Sequence, residues 1–265
     1  MSVDQADKIL WRHIRDLPYF RAMLRAVEDN FYQGLELPEP VLDVGCGDGH
    51  FASVAFDHPL DVGLDPWTGP LREAYGRHVY RLVVQADGAQ SPFPDGCFAS
   101  AISNSVLEHI PHVDEVIVEV SRVLRPGGLF VFCVPNDRFT TSLLGTTLFR
   151  KLGLKDASAF YSRFFNRIAR HAHCDSQAVW KQRLENSGLT IEKCWDYFPP
   201  KSLHVLEVGH LFGVPALFTR KLTGRWILWK SRFNLWLPWV ITHRHVTHPI
   251  SDQGTCSFYI ARKKA

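Results

Sequence analysis

Apolar positions along the chain fall into two patterns. Short, nearly unbroken apolar runs recur at 41–44, 61–64, 81–85, 97–103, 129–134, 189–197 and 254–261. Runs of this kind predict strands buried on both faces of a sheet. Between them, 51–56, 69–77, 112–124 and 176–186 space their apolar residues as helices do. Ahead of the first strand, Ile9, Leu10, Ile14 and Leu17, then Met23, Leu24, Val27 and Phe31, follow helical spacing, with Pro18 between the two sets. The alternation predicts a parallel sheet with helices on both faces. Regularity breaks twice, over 135–174 and 199–252, where the chain reads as long irregular loops of the kind that act as lids. The organisation that follows is an N-terminal helical lid, 1–37, and a core made of 38–136, 175–198 and 253–265. Two inserted segments, 137–174 and 199–252, lie on the substrate side.

Polar residues at the strand ends carry the chemistry. The first run ends in VLDVGCGDGHF, residues 41–51, where Gly45, Gly47 and Gly49 alternate before a helix. Glycines there let a ligand lie against the backbone, and the helix start offers free N–H groups. Asp43, just before the turn, would repel a pyrophosphate and attract a sulfonium or ammonium. The next strands end at Asp65-Pro66-Trp67, at Asp87-Gly88 and at Asn104-Ser105-Val106. Ligands of open parallel sheets bind outside the C-terminal strand ends. An acid in the place of Asp65 accepts hydrogen bonds from a ribose diol, and Asp87 is placed to accept from an adenine amine, with Trp67 and Val106 flanking the ring. A single Asp at a strand end is as often a turn former, but a series in register is hard to reach by accident.

The 265 residues suit one large domain with insertions. No apolar run is long enough to span a bilayer, and the N-terminus lacks a signal peptide's apolar core. Six cysteines without a CxxC pair favour reduced thiols over disulfides or zinc, and a cytoplasmic setting. The net charge of +3 is unevenly spread. Seven Lys or Arg face one acid in 138–174, and again in 201–250, leaving an acidic core.

The segments VLDVGCGDGHF, GLDPW, QADGAQSPFPDGCFASAISNSVLEHI and LRPGGLFVFCVPN, in this order and spacing, resemble the class I S-adenosylmethionine-dependent methyltransferases. The nearest branch is the broad type 11 group of small-molecule and quinone-biosynthesis enzymes. KQRLENSGLTIEKCWDYF resembles that family's late helix and sixth strand. The resemblance implies an α/β, Rossmann-like sheet of seven strands in the order 3-2-1-4-5-7-6, the last strand antiparallel. It implies S-adenosyl-L-methionine as cofactor. Asp43, Gly45, Cys46 and Gly47 would meet its methionine end, Asp65, Pro66 and Trp67 its ribose side, and Asp87 with Gly88 its adenine. Asn104, Ser105 and Val106 would form the wall near the sulfonium.

For the acceptor the sequence gives character. His109 follows the fourth strand and is the candidate general base, although LEH is also how this family opens that helix. Tyr161, Phe164, Phe165, His171 and His173 from the first insert, and His204 and His210 from the second, are the candidate lining residues. The remaining histidines lack the carboxylates an oxygen-loving metal needs, so no metal is expected. Trp226, Trp229, Trp236 and Trp239 stand among Arg220, Lys221, Arg225, Lys230, Arg232 and Arg244. That mixture suits an ordinary lid, or peripheral contact with the inner face of a membrane. No recognised module accompanies the charge, so nucleic acid is not expected. The expectation is O-methylation of a small or lipid-linked acceptor, such as a sugar, glycolipid, quinone or polyketide-type hydroxyl. Rivals are a nicotinamide-dependent oxidoreductase, disfavoured by Asp43 and the GxGxG spacing, and a non-catalytic module of the same fold.

Overall fold

A computed structural model describes residues 3–212 and 214–264. Residues 1, 2, 213 and 265, in the N-terminal, second-insert and last-strand segments read from the sequence, lie outside the described residues. The elements in order are α1 (Val3–Ile14), α2 (Tyr19–Tyr32), β1 (Val41–Val44), α3 (His50–Ala55), β2 (Leu60–Asp65), α4 (Thr68–Arg77) and β3 (Tyr80–Gln85). There follow β4 (Phe98–Asn104), a 3-10 turn (Leu107–His109), α5 (Val113–Val123), β5 (Leu124–Pro135), α6 (Arg138–Thr141), α7 (Leu144–Lys151) and α8 (Lys155–Ala169). The chain closes with α9 (Gln177–Asn186), β6 (Leu189–Tyr197), α10 (Pro200–Phe212), α11 (Val214–Thr223), α12 (Arg232–Thr247) and β7 (Cys256–Lys263).

The strands form one sheet in the order β3-β2-β1-β4-β5-β7-β6, as the resemblance implies, and β7 runs antiparallel to both neighbours. Alternation along the strands splits the core between the two faces. Leu42, Ala101, Phe130, Phe132 and Tyr259 pack against Val116, Ile117 and Val120 of α5 and Trp180 and Leu184 of α9. Ile102, Val131, Cys133 and Phe258 belong to the opposite cluster, with Met23, Ala26 and Val27 of α2. Continuous apolar runs are required here because both faces are covered.

The two inserts depart from expectation. Both are helical rather than irregular: α6 to α8 fill the first, and α10 to α12 fill the second. In α12 the apolar residues surround the axis instead of forming one stripe. Leu235, Thr242 and Val246 are buried, whereas Phe233, Trp236 and Leu237 are exposed, and Pro238 lies inside the helix. Without a 3.6-residue period, the pattern hides the helix.

The second insert joins the N-terminal helices in a single cap. Ile14, Leu17 and Ala22 cluster with Leu235, and Trp11, Trp226, Ile227 and Trp239 pack around them. Among the described residues, no helix is long and apolar enough to cross a membrane.

Candidate functional site

The site lies at the C-terminal ends of β1 to β4. β1 delivers Asp43, 4% exposed, whose Oδ2 accepts a hydrogen bond from the Tyr80 hydroxyl at 2.7 Å. Burial pushes the Asp43 carboxyl up to about 7, the Tyr80 hydrogen bond opposes the rise, and Asp65 adds to it. A buried acid held there gains from a cation beside it. Leu64 O accepts from both Gly45 N (2.7 Å) and Cys46 N (3.0 Å), tying the glycine turn to the end of β2. Gly45 has φ +77°, and a Cβ there would lie 2.3 Å from Cγ1 of Val106, so only glycine lets the turn approach the fourth strand end. Gly47 has φ +56° and nothing within 4 Å of where its Cβ would be, which leaves its backbone open to a ligand.

Asp65 is held from two directions. Its Oδ2 accepts from Gly47 N at 3.0 Å and its Oδ1 from Trp67 N at 2.9 Å. Each oxygen keeps further acceptor capacity for a diol. Burial raises its pKa, against those two N–H groups. Trp67 presents its ring 70% exposed, and Pro66 O accepts from Gln85 Nε2. Asp87 is exposed; its Oδ1 accepts from Ala89 N (2.9 Å) and His112 Nε2 (3.2 Å), and its pKa is lowered, by Ala89 first. Gly88 sits over Val116. Cys46 is buried and its thiol is pushed up by desolvation. Two oxygen acceptors over an open glycine backbone, with a buried acid nearby, fit the ribose and cationic sulfonium of S-adenosylmethionine.

Asn104 and Ser105 turn toward the cap. Glu28 of α2 is wholly buried and accepts four hydrogen bonds: from Asn104 Nδ2 (2.7 Å), Ser105 Oγ (2.6 Å), Arg25 Nη1 (2.6 Å) and the Tyr197 hydroxyl (3.1 Å). Ser105 stands at φ +52°, a conformation costing of order 1–3 kcal/mol that this contact helps to hold. A second tie runs through three helices. His13 Nε2 donates to Asp29 Oδ2 (3.1 Å), and His13 Nδ1 shares a hydrogen bond with His50 Nε2 (3.2 Å), next to the glycine turn.

His109 has one defined proton. Its Nδ1 must carry hydrogen to donate to the carbonyl of Arg170 at 3.0 Å, which leaves Nε2 as an acceptor, 3.8 Å from Glu108 Oε1. Desolvation lowers its pKa, keeping the ring neutral. Beside it Glu108 is buried, one carboxyl oxygen has no partner, and burial pushes its pKa up to about 8, so it holds its proton at neutral pH.

The candidate lining residues divide. His171 lies 5.4 Å from the His109 ring, and His210 packs on Phe165 and Phe20, so these three histidines border one region. Phe165 is 2% exposed and packs among these rings. Tyr161 donates to Glu207, and Phe164 is exposed beside Phe160. His173 sits with Asp175 and Arg183, and His204 donates to Ser142 O; both are taken up in structural contacts. Among the described residues, no group of three or more His, Cys, Asp or Glu is arranged to hold a metal ion.

Tyr80, Glu28, Arg25 and Arg21 escaped the sequence reading. Residues 21, 25, 28 and 32 share one side of α2, but a charged stripe at that spacing ordinarily marks a solvated face.

Comparison with known proteins agrees with this geometry. A family model described as a methyltransferase domain matches residues 42–132. A malonyl-[acyl-carrier protein] O-methyltransferase of Geobacter sulfurreducens is 34% identical over 123 residues, covering 44% of this chain and 46% of that protein. A fatty-acid O-methyltransferase of Mycolicibacterium smegmatis is 37% identical over 105 residues, 37% of this chain and 38% of that protein. The chain thus spans about half or less of the length of these curated relatives. A solved S-adenosylmethionine-dependent methyltransferase from Mesorhizobium loti superposes with a TM-score of 0.53 at 17% identity. It covers 89% of this chain and 98% of its own, a likeness of fold alone.

Proposed function

The chain belongs to the class I S-adenosylmethionine-dependent methyltransferases, and from that premise we propose that it transfers a methyl group to an oxygen of a small or lipid-linked acceptor. The observation that carries this reading is Asp65 bound to the N–H of Gly47 at one strand end, with the buried Asp43 on the neighbouring strand. S-adenosylmethionine, when bound, supplies a methyl group activated by its sulfonium charge. Asp65 would hold the ribose hydroxyls, Asp43 would balance positive charge, and Trp67 with Asp87 would border the adenine. The orientation of His109 suits a hydroxyl acceptor such as a sugar or quinone ring, because Nε2 is the unprotonated nitrogen that could take the proton as oxygen becomes nucleophilic, with Glu108 Oε1 3.8 Å away. The two relatives named for O-methylation support oxygen as the receiving atom and an acyl chain as one carrier.

Calorimetric titration tests the cofactor. S-adenosylhomocysteine should bind in the micromolar range and NADH should not; tight NADH binding with no response to S-adenosylhomocysteine would return the chain to the oxidoreductases.

A lipid-linked acceptor also accords with the surface of the cap. Leu228, Trp229, Phe233, Trp236 and Leu237 are each more than half exposed, and Lys221, Arg225 and Arg232 stand among them. We read this as a peripheral membrane contact, with rings at headgroup depth and cations on anionic lipid.

A further inference from the structure

The side of α2 that faces the strand ends carries charge rather than apolar residues. Glu28 fixes its direction, through its bonds to Asn104, Ser105 and Tyr197. Arg25, nearly one turn earlier, gives one hydrogen bond to Glu28, and its side chain is 20% exposed. Its partner Glu28 meets Ser105, four residues before His109, which sets Arg25 at the end of the fourth strand. Arg21, one turn further out, makes no hydrogen bond or ion pair among the described residues. Its guanidinium lies 5.5 Å from the centre of the Trp226 ring, and its charge is felt at His109 and His210. Arg21 is an exposed residue, so its guanidinium is open to an anion arriving from solution.

Two guanidiniums four residues apart on one helix face repel each other. Arg25 is steadied by its ion pair with Glu28, whereas no carboxylate pairs with Arg21 among the described residues. Glu28 already accepts from four donors, and Glu207 accepts from Leu144 N, Gly145 N and the Tyr161 hydroxyl. Glu108 holds its proton at neutral pH. Beyond Arg21 the cationic surface continues past Trp226 and Arg220 into a cavity of about 450 Å³ that Arg77, Arg225 and Lys230 also line. There Asp16 pairs with Lys230, Asp48 with Arg77, and Glu73 with Arg220, whereas the Arg225 side chain has no partner among the described residues.

We propose that Arg21 and Arg25 form a carboxylate clamp beside His109, and that the acceptor is an organic acid. The proposal rests on the methyltransferase reading and narrows its acceptor. A carboxylate between the two side chains would meet planar forks of N–H donors that match its two oxygens. It would also offset the positive charge that Arg21 leaves unpaired on α2. The same chemistry could be met by the carboxylate of the cofactor's methionine tail, so the test separates the two sources.

Full-length protein is first titrated with S-adenosylhomocysteine, then, saturated with it, with dodecanoate and with dodecanol. We expect dodecanoate to bind the loaded protein about tenfold or more tighter than dodecanol, the discrimination expected of charge-assisted hydrogen bonds. Arg21→Gln and Arg25→Gln should each erase most of that preference while moving S-adenosylhomocysteine affinity by less than about threefold. Should Arg25→Gln fail to fold, because Glu28 loses a donor, Arg21→Gln carries the test alone. An acid bound no better than the alcohol would overturn the proposal. So would variants that lose S-adenosylhomocysteine instead of the acid, since the clamp would then hold the methionine tail. Failure of the wild type to bind S-adenosylhomocysteine at all would remove the methyltransferase reading, a distinct outcome.

Discussion

The floor of the cleft, at the ends of β1 to β3, presents Asp43, Asp65 and Asp87, and the cap above it presents Arg21 and Arg25 from α2. The two surfaces differ in how they are built as well as in sign. The acids of the floor are placed by their own strands and held by neighbours: Asp65 by the N–H groups of Gly47 and Trp67, Asp87 by that of Ala89. The cations of the cap are placed from far away in the chain, through Glu28 meeting Asn104, Ser105 and Tyr197. A floor of acids suits a ligand that is positive where it reacts, and a cap of guanidiniums suits one that arrives negative. Opposite charges facing each other would then order two ligands head to head, which is what transfer between them requires.

The sharpest way to break this contrast is at its join. Glu28→Ala would leave Arg25 and three further donors unpaired in the interior, and the protein should lose about 3–5 kcal/mol in urea unfolding. Glu28→Gln keeps the shape and part of the bonding, so it should lose less; equal losses would mean that the charge of Glu28 is immaterial to the join. Next in size is the floor. Asp65→Ala should weaken S-adenosylhomocysteine binding by about 1.5–3 kcal/mol through lost charge-assisted hydrogen bonds, measured by calorimetry against an unchanged acid-binding cap.

Asp43 gives a gentler, pH-dependent contrast. Its pKa is raised by burial to about 7 in the folded protein. Between the ordinary carboxylate value near 4 and about 7, the folded state therefore holds a proton that the unfolded state releases. Stability from this group is fully present below about pH 4 and is lost as pH rises to about 7. A positive ligand prefers the ionised form, so affinity for S-adenosylmethionine should rise over the upper part of that range. Asp43→Asn should flatten both profiles; an unchanged profile would assign the titration to another group. The smallest effect belongs to the outer surface of the cap. Phe233 is 96% exposed, and Phe233→Ser should change stability by no more than about 0.5 kcal/mol. In sedimentation with anionic liposomes, the same change should reduce binding; unaltered binding would count against membrane contact there.

The floor was legible because its signals are local. Val41, Leu42 and Val44 announce a buried strand, Gly45 and Gly47 a turn, and Asp65 and Asp87 recur at the ends of the next two strands. The cap was not legible, for two reasons. The apolar residues of α12 circle its axis and leave no period to read, so a helix resembled an irregular loop. On α2, the spacing of Arg21, Arg25 and Glu28 carries no signal of which way they face, and Glu28 is turned inward by Asn104, Ser105 and Tyr197, all far away in the chain. His109 lies between these cases: its position was readable, but the tautomer that leaves Nε2 unprotonated depends on the Arg170 carbonyl.

By itself, then, the sequence determined the strands and the acids at their ends, because strand burial, tight turns and residues at strand ends are set by neighbours within a few positions, while the order of the sheet followed from the family resemblance. Tertiary structure alone decided which charges of the N-terminal helices face the cleft and which carboxylates are left to meet them. Those facts depend on contacts between segments far apart in the chain, and on which buried groups find a hydrogen-bond partner once the helices have packed.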